Sequence, residues 1–555
     1  MVNRGKPSLD CRPCKKRKLR CDLQRDVCGQ CARAGIKCFG RRDPNELVIL
    51  DQTVSTKRKV QASHQLRDSE AATRHPICPS ESISNQPSAT TCTPIPRPVL
   101  PGLESRARTA FFSHYVLGFS RSHGALAALY QATATDSPLF AAVDAAALLF
   151  LAKQCQAPGY PTQPVSSSNP ASDLTRLATA SYMVATRRLG NALRIESPHS
   201  KVGKARNLTF DYETLQAVLL LDLYEKLAVA GLQRPAASAE EDSKHSWMCH
   251  IRGALSLLRA SDLCHQLASP VKRRLAARLA MTLVVSCGAA GVHVPYELEE
   301  LRAGLAPYFT TPTVNETTSD AIHSTTTTTT TMRLDPKFSV TGVVVGVVNL
   351  TADVGQGNLS PGKACSRAQS LDQQFVEMEQ SLPPSWQCER VSTVSGYPMI
   401  YGGYYDVYAD HFVTQVRNVI RSMRLLLCKL EMEHCDTAAL SLYHNGYIRI
   451  AIESLCDDIV ASVPQFAWTI ARSENGIPFG PLQSLQCFTL LTPLYLAGQL
   501  TTRSELREWI IATMEYMAYS GGLHMAKTVA SILRSAPETS YWQVYSVLGS
   551  YAFAA

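Results

Sequence analysis

Six cysteines crowd the first 38 residues: Cys11, Cys14, Cys21, Cys28, Cys31 and Cys38, spaced C-x2-C-x6-C-x6-C-x2-C-x6-C. Between the second and third lies a cationic run, Lys15-Lys16-Arg17-Lys18, followed by Leu19 and Arg20. Thiolates are soft ligands that hold Zn²⁺ at about 2.3 Å in tetrahedral geometry, and a two-residue gap lets both members of a pair reach one ion. Each half offers three thiolates, one short of four-coordination. Two ions need eight ligand positions, so the six cysteines suffice only if two of them bridge, and Cys11 and Cys28, the first of each half, are the natural bridges. Two alternatives stand beside this reading. Disulfides would use all six, but a chain of 555 residues has no need of such staples and its N-terminus is polar and basic. A mononuclear site with two spare thiols leaves the duplicated spacing unexplained.

Charge is concentrated in the same segment. Residues 1–42 hold 13 Lys and Arg against 3 Asp and Glu, whereas the whole chain carries +9, which leaves residues 43–555 near −1. Six thiolates and two Zn²⁺ would bring the segment only to about +8. A compact cation cluster on an otherwise neutral chain is an electrostatic footprint for nucleic acid. Lysine and arginine suit the O6 and N7 acceptors of guanine, and neighbouring cations neutralise phosphates. A solvated basic face or a nuclear import signal is the plainer reading of the run, and import is compatible with DNA binding.

Residues 9–43, LDCRPCKKRKLRCDLQRDVCGQCARAGIKCFGRRD, resemble the Zn2Cys6 binuclear cluster of fungal transcription regulators. The resemblance implies two Zn²⁺ as cofactors and two short helices, each followed by an extended segment, related by pseudo-twofold symmetry. It implies a first helix in the major groove at a CGG-like triplet of double-stranded DNA. By position, Lys18 resembles the base-reading lysine and Arg17 its neighbour, with Lys15, Lys16 and Arg20 at phosphates or flanking the contact. Two positions depart from the family pattern: Asp26-Val27 stand where a proline usually precedes the fourth cysteine, and Lys15 replaces a common arginine.

The elements beyond this module read as follows. Residues 43–102 form a linker expected to be disordered, with Pro76, Pro79, Pro87, Pro94, Pro96, Pro98 and Pro101 among Ser, Thr and Gln. Leu47, Leu50, Val54 and Val60 do not sustain a coiled-coil heptad, and Lys57-Arg58-Lys59 interrupts them. From residue 103 the chain becomes rich in amphipathic stretches with i, i+3, i+4 apolar spacing, at 106–130, 141–154, 172–193, 212–230, 245–260, 271–286, 404–433, 438–463 and 485–518. The expected fold is mainly α: a small cysteine module, the linker, and a large all-α helical body in two parts, residues 103–306 and 341–555. Between them, residues 307–340 contain the tract Thr325–Thr331 and read as a disordered Thr-rich insertion. Gly342–Leu350 is the one strand-like run. No uninterrupted apolar run approaches the ~18 residues of a membrane helix, so no membrane partner is expected.

The body carries a second resemblance, to the fungal-specific transcription factor domain. Its phrases are TLQAVLLLDLYE (214–225), WMCHIRGALSLLR (247–259) and YYDVYADHFVTQVRNVIRSMRLLL (404–427), the last with Asn418 and Arg421 in the usual places. The plainer reading of those residues, core and helix-contact positions, is the favoured one.

No enzyme constellation is present. H-E-x-x-H, P-loop, G-x-S-x-G and Rossmann patterns are missing, and no catalytic residue is assigned. His245 and His250 flank Trp247 as polar rim residues, and Glu297, Glu299 and Glu300 read as a solvated acidic face. The other twelve cysteines are scattered and mostly in apolar contexts typical of reduced thiols; His434-Cys435 near Cys428 could suggest a second metal site but fit a helix with core cysteines better. The resulting expectation is a nuclear, sequence-specific DNA-binding transcription factor, not an enzyme, with transcription machinery or co-regulators as partners and a small-molecule effector as a further candidate. Gly5-Lys6-Pro7-Ser8 and Gly40-Arg41-Arg42-Asp43 resemble the wording of activators of secondary-metabolite gene clusters. A repressor, or a metabolite-sensing regulator of a primary catabolic or stress pathway, is the alternative.

Overall fold

The computed structural model describes residues 11, 13–14, 17, 19–24, 27–38, 102–155, 170–195, 212–229, 248–257, 267, 269–317, 327–393, 397, 399–434 and 441–549. The chain divides into two units, Met1–Arg97 and Pro98–Ala555. The segment 43–102 expected to be a linker lies outside the described residues except for Gly102.

In the first unit the cysteines are nucleated by two local turns. Pro13 and Cys14 begin a helical turn in which Arg17 N–H donates to the Pro13 carbonyl at 3.0 Å, and proline's fixed φ suits such a start. Seventeen residues on, α1 (Gly29–Arg33) carries the second turn. It ends in a Schellman arrangement: Gly35, at φ 63°, donates to Ala32, and Ile36 N–H donates to the Cys31 carbonyl at 3.0 Å. The first half repeats the last bond at the equivalent position, Leu19 N–H to the Cys14 carbonyl at 3.0 Å.

The second unit is a helical body. Its described elements begin with α2 (Leu103–Ala110), a π-helix (Phe111–Phe119), α3 (Leu126–Ala132), α4 (Pro138–Cys155), α5 (Pro170–Ile195), α6 (Tyr212–Val229) and α7 (residues 248–257). Next come α8 (Pro270–Ala290), α9 (Tyr296–Leu305), strands β1 (Thr310–Thr317) and β2 (Thr327–Leu334), α10 (Pro336–Gly355) and α11 (Pro361–Gln380). Strands β3 (Glu389–Ser392) and β4 (Tyr404–Val407) precede α12 (His411–His434) and α13 (Ser441–Ala461). The short α14 (Pro464–Ala467), α15 (Pro481–Phe488), α16 (Leu491–Leu500), α17 (Ser504–Tyr519), α18 (His524–Ser535) and α19 (Tyr541–Val547) complete it. Many helices open on a proline, as expected where the first N–H groups have no partner inside the helix. One large core of Leu, Val, Ala, Phe and Tyr runs through the body, with α4 against α5 and α6, α8 against α10, and α11 against α12.

Several sequence expectations change here. Gly342–Leu350 is not a strand but the middle of α10, because Asp335 caps that helix by accepting from Phe338 N–H at 3.1 Å and Pro336 opens it. The Thr-rich segment contributes β2, which pairs antiparallel with β1 from Thr310↔Leu334 to Thr317↔Thr327, so the expectation of an unstructured insertion is wrong for these residues. β-branched side chains favour strand geometry. The stretch 404–433 begins as β4 before becoming α12, and 485–518 is three helices, α15 to α17.

Two helices, α4 and α10, do reach membrane-spanning length and apolarity as whole helices, with mean hydropathies of 1.4 and 1.5. Both are largely buried in the body, and in α4 Asp144 pairs with Arg108 at 2.9 Å. Core packing accounts for their composition.

Candidate metal centre

The described turns bring all six cysteines together. Cys11 Sγ lies 3.6 Å from Cys28 Sγ and 3.7 Å from Cys31 Sγ; Cys14 Sγ lies 3.5 Å from Cys28 Sγ and 3.8 Å from Cys31 Sγ. Four thiolates held at about 2.3 Å around a tetrahedral ion stand about 3.8 Å apart, so these separations suit metal ligation. They exceed the ~2.05 Å of a disulfide, and none of the six cysteines is in one. Two groups of four have their sulfurs mutually within 4.8 Å: Cys11, Cys14, Cys21 and Cys28, and Cys11, Cys28, Cys31 and Cys38. Cys11 and Cys28 belong to both. The cluster can hold metal.

Local backbone positions these ligands. Cys28 is the N-cap of α1, and its sulfur accepts from Cys31 N–H at 3.4 Å. Asp22 Oδ2 accepts from Gly29 N–H at 2.7 Å, tying the loop after Cys21 to the start of α1. A Cβ on Gly29 would come within 2.8 Å of that oxygen, so a larger residue would make the Asp22 carboxylate shift. The same loop holds Leu23 at φ 60°, an uncommon conformation for a non-glycine residue. Asp22 and Gly29 were missed in the sequence, since a contact across seven residues leaves no local pattern.

Electrostatics among the thiols are uneven. Burial pushes the Cys14 and Cys31 thiols up to about 12 and raises Cys11 as well. Burial also opposes ionisation of Cys28, yet the donated Cys31 N–H and the neighbouring thiols bring it down to about 6. Metal binding must therefore displace protons from most of these sulfurs, which makes the site's affinity pH-dependent.

Of the five proposed DNA contacts, Arg17 and Arg20 are described and both are exposed. Lys15, Lys16 and Lys18 lie outside the described residues.

The body's singled-out residues behave as packing groups. Arg421 is buried and donates to Asn418 Oδ1 at 2.9 Å and to the Tyr408 hydroxyl at 2.7 Å, while Asn418 Nδ2 donates to Ser462 Oγ at 2.9 Å. His250 Nε2 sits 2.9 Å from Glu225 Oε1 and 3.2 Å from the Tyr182 hydroxyl. Cys428 is a buried thiol raised to about 12 by burial, and Cys435 of the suggested second metal site lies outside the described residues. Cys365 departs from the reduced-thiol expectation in being disulfide-bonded. His245 and Trp247 lie outside the described residues, and Glu299 and Glu300 are exposed on α9. Comparison of this chain with protein-family models, with curated proteins and with solved structures returned no match.

Proposed function

We propose that this chain is a sequence-specific DNA-binding transcription regulator whose six-cysteine module holds two Zn²⁺, bridged by Cys11 and Cys28, and docks in the major groove at a CGG-like triplet. The observation that carries the reading is the pair of four-sulfur groups sharing Cys11 and Cys28, interleaved in sequence with Lys15, Lys16, Arg17, Lys18 and Arg20. Sulfur spacing supports zinc as the resident ion, since it prefers closed tetrahedral thiolate sites and contributes folding energy there. The repeated backbone bond after Cys14 and Cys31 supports two equivalent halves. Arg17 and Arg20 stand exposed, as phosphate or base contacts require.

In this reading the protein works in the nucleus and has no catalytic step of its own. The helical body couples DNA occupancy to transcription machinery or co-regulators, in the direction of activating a secondary-metabolite gene cluster. The test uses the full chain and a CGG-containing duplex against a scrambled one. Selective binding by the natural chain, lost in Lys18→Ala with residual non-selective affinity retained, is the expected outcome. Equal affinity for both duplexes, or unchanged selectivity in Lys18→Ala, contradicts the proposal.

A further inference from the structure

The body contains a cavity of about 510 Å³, within the size range of metabolite sites, between the end of the π-helix, α8, α9 and the start of α10. Five cations line it, Arg121, Arg274, Arg278, Arg302 and Lys337, against one carboxylate, Asp335. Its apolar wall includes Val116, Met281, Phe309, Phe338 and Phe412, with Phe309 and Phe338 stacked at 4.9 Å. A smaller cavity of about 50 Å³, walled by Val344, Trp542 and Tyr545 among others, shares Met281, Lys337 and Thr341 with it.

Most of the cations have structural ties. Arg121 is paired with Asp410 and lies over the Phe412 ring, and Arg302 donates to the Phe338 carbonyl at 3.0 Å. Lys337 lies over Phe412 at 4.8 Å. Asp335 is committed to capping α10. Arg278 is different. It is only 6% exposed, and its Nε and Nη1 are buried with no hydrogen-bond partner. Leaving a buried guanidinium unsatisfied is costly, and burial brings its pKa down to about 10. Tyr115 and the carboxylate of Asp222 act on Arg278 electrostatically, and the buried His123 is held neutral by burial and by the Arg278 charge. Arg274, one turn from Arg278 on the same face of α8, is exposed and has no ion-pair partner among the described residues. Both guanidiniums line the cavity, where a ligand anion would give them a counter-charge.

We infer that this cavity is a binding site for a small organic acid, one or more carboxylates on an apolar or aromatic skeleton, with Arg274 and Arg278 as the carboxylate clamp. Guanidinium groups match carboxylate geometry, and the phenylalanine wall accepts the skeleton. The site gives the small-molecule effector a location and a chemical class, and it does not depend on the DNA-binding reading.

Calorimetry on the zinc-loaded full chain without DNA tests it, with 1-naphthoate and 3-phenylpropionate as probes, 1-naphthamide as the neutral analogue and inorganic phosphate as the bare anion. Saturable binding of at least one acid at one site per chain is expected. Against that acid, amide and phosphate should bind at least about tenfold more weakly, the scale of one lost charged hydrogen bond. Arg274→Ala, at an exposed position, should weaken the acid by a similar factor, and Arg278→Met should do so more strongly. Equal binding of the amide or of phosphate, no effect of Arg274→Ala, or no saturable binding of either acid overturns the inference. Because DNA is absent, failure here leaves the DNA reading untouched, and loss of CGG selectivity leaves this one untouched.

Discussion

Cys28 concentrates the chemistry of the N-terminal unit into one side chain. It caps α1, accepts the Cys31 N–H, and belongs to both four-sulfur groups. Cys38 belongs to one group only. Substituting the two therefore gives different results if the shared sulfurs bridge. Elemental analysis of the purified full chain should find two zinc ions in the natural protein, none in Cys28→Ala, and one in Cys38→Ala, whose other group stays complete; a single ion retained by Cys28→Ala would rule out bridging. Arg20 makes a second prediction. In the proposed reading Arg20, an exposed cation next to Cys21, serves phosphate rather than bases, so Arg20→Ala should weaken CGG and scrambled duplexes alike. Its slope of log affinity against log salt should become shallower by about 1. A loss confined to the CGG duplex would instead assign Arg20 to base reading.

Elements in the body are fixed by close contacts that leave little room. Between α17 and α18, a Cβ on Gly521 would come within 2.4 Å of the Phe479 ring and 2.6 Å of the Met517 carbonyl oxygen. Backbone cannot yield as a side-chain tip can, so Gly521→Ala should cost about 1–3 kcal/mol and lower the urea midpoint of the full chain. The bonds of Arg421 link α12 through Asn418 to Ser462, just beyond α13, and through Tyr408 to the segment after β4. Removing the guanidinium in Arg421→Ala orphans the Tyr408 hydroxyl and Asn418 Oδ1, at about 1–3 kcal/mol for each buried polar group left unpaired. A near-neutral Arg421→Ala would make it a surface-like residue.

The cysteine cluster was legible in the sequence because thiolate spacing is local chemistry, and so were most helices, whose apolar stripes repeat within a few residues. Gly342–Leu350 was misread because α10 is buried around much of its circumference, which erases the stripe, and its true signal was the Asp335-Pro336 start. The split of 485–518 was signalled by Pro493, which fits only the first turn of α16. The cavity was invisible, since Arg121, Arg278 and Lys337 meet only through folding. Its one trace was the i, i+4 pair Arg274 and Arg278, the second standing inside the apolar stretch that follows Lys272-Arg273-Arg274.

At the scale of the whole molecule, charge and apolar core are segregated. The first 42 residues carry a surplus of ten cations, and residues 43–555 are close to neutral and contain the large core. Affinity for DNA should therefore reside in a segment that cannot build an apolar core of its own and whose described buried residues are cysteines. In the proposed reading, metal supplies the folding energy that such a core would supply elsewhere. Acidification works in the same direction as chelation, because protons compete for sulfurs whose pKa is raised in the metal-free state, so zinc and CGG binding should fall together as pH drops. The most direct measurement is the affinity of the full chain for a CGG duplex as zinc is withdrawn by a chelator and then returned. The account predicts that selective binding disappears in step with zinc, that circular dichroism shows the helical body unchanged, and that readded zinc restores selectivity. Selective binding that persists after all zinc has been removed would contradict it.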